Sequence, residues 1–109
     1  MKKVFISVGM SGRNTLDVIR DIKRATEWLT KSVLDQNFDP IFDSDYIVTN
    51  FDCKTPEGTN RRLWCLGEAI KKLGECDICY FVKGWQNHKG CIIEHQICEL
   101  YGIKIIEES

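Results

Sequence analysis

No apolar run in the chain approaches the roughly 20 residues that cross a bilayer, and the sequence contains neither repeats nor low-complexity tracts. Charge of either sign is almost balanced: 15 Lys and Arg stand against 16 Asp and Glu, for a formal net charge of −1. That balance removes the electrostatic footprint expected for duplex nucleic acid. A small anionic ligand remains admissible, because local charge differs from the total. The P-loop spacing and the full dinucleotide fingerprint are both missing, so neither ATP hydrolysis nor NAD chemistry is invoked. Nothing marks secretion. Met1-Lys2-Lys3 resembles the charged start of a signal, but the apolar stretch that follows is too short and runs into Gly9 and Arg13 instead of a cleavage site. A cytoplasmic protein with no membrane partner is expected.

Six cysteines are present, at positions 53, 65, 76, 79, 91 and 98. In that compartment they are expected to be reduced and mostly buried. Cys76 and Cys79 have redox spacing, but they open a strand, whereas a redox pair should open a helix whose dipole lowers the thiol pKa. Cys91, His95 and Cys98 share a flank of the last helix. Three ligands on one helix without a fourth make a weak metal set, and no metal or cofactor is expected.

The 109 residues suit one domain. Residues 4–8 form an apolar run suited to a buried parallel strand, followed by a glycine-bearing loop over residues 9–14. A helix is predicted over residues 15–34, with Val18, Ile19, Ile22, Ala25, Leu29 and Val33 inward, and a second short strand over residues 38–42. Residues 43–60 read as an irregular stretch, long enough to suggest a functional or disordered loop. A helix over residues 60–73 turns Leu63, Leu66, Ile70 and Leu73 inward; a strand over 77–82, a helix over 89–101 and a strand over 103–106 complete the chain. The alternation predicts an α/β fold of flavodoxin or Rossmann type. It is a three-layer, doubly wound parallel sheet of four strands in the order 2-1-3-4. Ligands bind such sheets where the strand order reverses, beyond the carboxyl ends of the strands. The loops meeting there span residues 9–14 and 83–89. The same handedness leaves the first helix alone on its face, with the sheet beside strands three and four uncovered, and predicts a homodimer.

Glu94 belongs to that switch point. Stepping 100° per residue along the last helix, Ile93, Ile97, Leu100 and Tyr101 fall on one arc that includes Glu94, while Glu99 and His95 fall on the wet side. A carboxylate on a packed face requires compensation. It is read as a nucleophile or an acceptor for a sugar hydroxyl, kept ionised by the helix N-terminus, against a structural carboxylate that caps a loop. Gly9, Gly12 and Gly90 admit close backbone approach to a ligand, and Arg13 suits a phosphate. Trp85, after Gly84, is placed to stack on a planar base, whereas Trp64 lies off the core face. Arg61 and Arg62 open their helix against the dipole, a weak sign of an anionic partner. His88 is a loop imidazole of the kind that moves protons near neutral pH.

Phe5-Ile6-Ser7, then Gly9-Met10-Ser11-Gly12, resembles the Tyr-Ile-Ser-Gly-Pro-Met-Thr-Gly opening of a small family found in phages and bacteria. Its function is unassigned, and it belongs to the nucleoside 2-deoxyribosyltransferase-like superfamily. Leu73 and Cys76-Asp77, followed by Gly84-Trp85 and Lys89-Gly90 through Glu94, are similar to that family's Cys-Asp…Gly-Trp…Ser-Lys-Gly-Ala…Glu signature. The resemblance implies a nucleoside or nucleotide ligand held by Ser7, Gly9, Met10, Gly12, Arg13, Gly84, Trp85, Lys89 and Gly90. It implies an N-glycosidase or deoxyribosyltransferase acting on a (deoxy)nucleoside or its 5′-monophosphate. Glu94 attacks the anomeric carbon, as in a retaining glycosidase. Three positions depart from the pattern. Phe5 replaces a tyrosine whose hydroxyl touches the nucleophile, Ala69 replaces an aspartate at the leaving base, and His88 replaces an aspartate or serine at the sugar. The alternative is a catalytically silent module that senses or sequesters a signalling nucleotide.

Overall fold

A computed structural model of the chain describes residues 3–31 and 47–109. Its elements are β1 (Val4–Ser7), α1 (Thr15–Lys31), β2 (Ile47–Val48), α2 (Arg61–Leu73), β3 (Ile78–Phe81), a single 3₁₀ turn (Trp85–Asn87), α3 (Lys89–Tyr101) and β4 (Lys104–Glu107). The four strands are parallel and lie in the order β2-β1-β3-β4. The expected doubly wound α/β architecture is therefore present. The strand that pairs with β1 is Ile47–Val48, inside the stretch expected to be irregular; the strand expected over residues 38–42 lies outside the described residues.

Alternation along the strands sorts the core into two layers. Val4, Ile6, Val8, Ile78, Tyr80 and Val82 meet Val18, Ala25 and Leu29 of α1. Phe5, Cys79 and Phe81 meet Ala69 and Leu73 of α2 and Cys98 of α3. Leu29 and Leu73 are each 0% exposed, and burying such a side chain contributes about 1.5–3 kcal/mol. Of the sheet face expected to be open beside strands three and four, the β3 part is covered: Ile78, Tyr80 and Val82 are buried, and the Trp28 ring lies 5.5 Å from that of Tyr80, while Ile106 of β4 is half-buried. Glu108 fastens the end of β4 across this face. It accepts from Arg24 Nη2 at 2.6 Å, Tyr80 Oη at 2.9 Å and the Lys83 amide at 3.2 Å.

Two helices are turned by roughly a quarter of a turn from the expected orientation. On α3 the buried side chains are Cys91, Glu94 and Cys98, whereas Leu100 and Tyr101 are each 80% exposed and Ile93 is also exposed. On α2, Ala69 and Leu73 are buried while Leu63 and Ile70 are exposed. Leu73 remains inward on α2 as expected, and Ile97 of α3 packs against the core from its edge. Ile19 of α1 is exposed; Val33 lies outside the described residues. Among the described residues, no helix is long and apolar enough to cross a membrane.

Candidate functional site

The carboxyl ends of β1 and β3 lead into the two loops of the switch point. Ser7 closes β1 and is 1% exposed; Glu94, on the second turn of α3, is 5% exposed. Their side chains meet, with Ser7 Oγ donating to Glu94 Oε1 at 2.9 Å. The carboxyl thus faces the rim of the sheet, as its place in the sequence predicted, but its protonation is not the expected one. Burial pushes the Glu94 carboxyl up to about 7, with the Ser7 hydroxyl pulling it part of the way back. Cys91, one turn earlier on the same face, has its thiol pushed up to about 11 by burial.

Gly9 follows directly. A Cβ built there would lie 2.0–2.3 Å from atoms of the His88 imidazole, so only glycine lets that ring sit over the β1 loop. His88 also precedes the first residue of α3 and caps it with no side-chain hydrogen bond, leaving the ring free of a capping duty. Gly84, at φ +90°, takes the left-handed conformation that starts the 3₁₀ turn after β3. Sequence reasoning therefore places Ser7, Gly9, Gly84, His88 and Glu94 at one edge, where the structure also has them. Lys89 is exposed at the start of α3, Gly90 approaches Leu66 of α2, and Met10 packs against the α1 layer. Gly12 stands exposed in the loop at φ +72°.

Two of the expected ligand contacts are engaged within the protein. Trp85, expected to stack on a base, already stacks within the protein. Its ring lies parallel to that of His95, with centroids 4.2 Å apart and planes 6° apart, and it also packs against Phe81. His95, expected to face water, is held there and bonded to Glu99 at 2.8 Å and Glu107 at 2.9 Å. Arg13, expected to suit a phosphate, has protein partners. It donates to Gly9 O at 2.9 Å and pairs with Asp21 at 2.6 Å, because the first turns of α1 offer it a carboxylate. Hydrogen bonds from Arg13 and Arg24 overcome the effect of burial and hold the Asp21 carboxyl below its usual range.

One residue at this edge carried no signal in the sequence. Asn50 lies two residues past β2, the strand beside β1, and is 8% exposed. Its Nδ2 donates to Cys65 O at 2.8 Å, while its Oδ1 has no hydrogen-bond partner. Asn50 lines a cleft of about 460 Å³ together with Asp52, Lys54, Trp64 and Lys72, and a second cleft of about 360 Å³ runs along the outer side of Trp64. Among the described residues, no group of three or more His, Cys, Asp or Glu side chains is placed to hold a metal ion. Neither a family model, nor a curated protein, nor a solved structure matches the chain.

Proposed function

We propose that the protein binds a nucleoside or nucleotide and cleaves or transfers its N-glycosidic bond, with Glu94 as nucleophile. The observation that carries this reading is the Glu94 carboxyl, folded inward at the sheet's switch point and bonded to Ser7. The Ser7 hydroxyl supplies the contact that a tyrosine makes in the enzymes this sequence resembles, where this chain has Phe5. The carboxylate attacks the anomeric carbon from the face opposite the base, the C–N bond breaks, and the electron pair leaves with the base. His88 is the proton donor for that base in this scheme; general-acid help is worth about two to four powers of ten. Water then opens the glycosyl ester to free sugar, or a second base accepts the sugar. A 5′-phosphate suits the first turn of α3, which has no side-chain cap. The test is chromatography of a nucleoside and nucleotide panel after incubation. Free base is expected from at least one 2′-deoxynucleoside 5′-monophosphate, and none with Glu94→Ala. Binding of a nucleotide with no base released from any would end the enzymatic reading.

A second reading, the silent nucleotide-binding module, is favoured by Phe5 and Ala69. Both are buried and neither can hold or protonate a leaving base. It predicts that ligand is recovered unaltered on denaturation and that Glu94→Gln weakens binding only modestly. The protein is further proposed to work in the cytoplasm as a homodimer, with the exposed Leu16 and Ile19 of α1 available to the second copy. A monomer in sedimentation at micromolar concentration would count against the pairing.

A further inference from the structure

Away from Glu94, two half-buried thiols meet. Cys53 lies in the turn after β2, closed by its amide donating to Asn50 O at 3.2 Å, and Cys65 lies on the second turn of α2. Their sulfurs are 2.7 Å apart. A disulfide has its sulfurs at about 2.05 Å, so bonding requires less than about 1 Å of approach. The meeting is fixed from both sides. Asn50 Nδ2 grips Cys65 O at 2.8 Å, and Lys72 Nζ reaches back to Thr49 O at 3.1 Å, so two bonds hold this segment on α2. The remaining four cysteines are different in kind: Cys76, Cys79, Cys91 and Cys98 are between 0% and 8% exposed. Cys53 also borders the cleft beside Asn50, so a dissolved reagent reaches it. Burial pushes its thiol up to about 11, which keeps the thiolate scarce and slows its attack on a dissolved disulfide.

We propose that Cys53 and Cys65 are a reversible disulfide-forming site, oxidised by a low-molecular-weight disulfide of the glutathione type. One protein thiolate attacks the small disulfide, forming a mixed disulfide and releasing one small thiolate. The second protein thiol gives its proton to solvent and attacks the protein sulfur of the mixed disulfide, releasing the second small thiolate. Two protein thiols are oxidised and one small disulfide is reduced to two thiols. The new bond welds the segment after β2 to α2 along one wall of the 460 Å³ cleft, whatever chemistry Glu94 performs. In a reducing compartment such a bond is transient and redox-sensing.

The test is incubation of the native full chain with oxidised glutathione, acid quench, alkylation of remaining thiols and peptide mapping. The expected product has lost two hydrogens, carries a Cys53–Cys65 crosslinked peptide, and returns to the starting mass with dithiothreitol. Cys53→Ser and Cys65→Ser should each stop at a glutathione adduct on the remaining thiol. A stable glutathione adduct on the wild type, an untouched pair, or a bridge involving any of the four buried cysteines would overturn the proposal. Wild-type mapping decides even if a variant fails to fold. Hydrogen exchange of amides 50–60 should slow several-fold on oxidation, and unchanged exchange would overturn the tethering.

Discussion

Replacing Glu94 by glutamine should remove a pH-dependent weakness from the fold. A glutamate that ordinarily releases its proton near 4.5 holds it here to about 7. Below pH 4.5 the group is protonated in both folded and unfolded chains and costs nothing. Between 4.5 and 7 the unfolded chain ionises while the native carboxyl keeps its proton, so stability falls as pH rises, and it levels off above about 7. At about 1.4 kcal/mol per pH unit the loss amounts to about 3 kcal/mol. Glutamine keeps an acceptor for Ser7 and cannot ionise. The stability difference between Glu94→Gln and wild type should therefore swing by about 3 kcal/mol in the variant's favour from pH 4.5 to pH 8, a shift on the order of 10 °C in Tm for a domain of this size. Urea unfolding at a series of pH values measures it. Parallel pH profiles for the two proteins would refute the reasoning, since a carboxyl with an ordinary pKa in the fold gives no swing. The destabilising residue is also the proposed nucleophile, so the stabilised variant should release no base, a trade that functional sites commonly show.

The other predictions are independent of that one. Gly9→Ala should cost about 1–3 kcal/mol by driving a methyl into the His88 ring, and His88→Ala should restore most of the loss in the double variant; additive losses in thermal melts would contradict the close approach. Asn60 caps α2 by accepting from the Leu63 amide at 3.1 Å, so Asn60→Ala should cost about 1 kcal/mol in urea unfolding. Burial alone would raise the Glu108 carboxyl, but Arg24, the Lys83 amide and Tyr80 together hold it below its ordinary value. Its contribution is full above pH 4.5 and disappears as pH falls through the lowered folded value. Glu108→Gln should lose about 1–3 kcal/mol at neutral pH and converge with wild type in acid melts.

The architecture was legible because it depends on coarse patterns. Short apolar runs alternating with amphipathic segments fix a parallel sheet, and the rarity of left-handed crossovers leaves few strand orders. Residues 89–101 were bounded correctly because His88, Lys89 and Gly90 follow a loop and Gly102 ends the helix. Helix rotation was not legible. The apolar arc of α3 pointed to Leu100 and Tyr101, yet the side chains that face the sheet are Cys91, Glu94 and Cys98. β2 escaped because two residues carry no period, and with it went Asn50, whose burial depends on where β2 ends. Glu94 itself was found from placement alone. Its hydrogen bond to Ser7 joins residues 87 positions apart, a pairing that no local spacing encodes. Trp85 and His95, ten positions apart across a turn and a helix, likewise met only in the folded chain.

The most direct test of the account is to catch the sugar on the protein. The chain is mixed with each 2′-deoxynucleoside 5′-monophosphate, quenched in acid during turnover, digested and analysed by mass spectrometry. A deoxyribosyl phosphate ester on the peptide containing Glu94, formed together with free base, is the predicted result. Intact nucleotide released from a protein whose Glu94 peptide is unmodified, for every nucleotide that binds, would contradict it and leave a binding protein in its place.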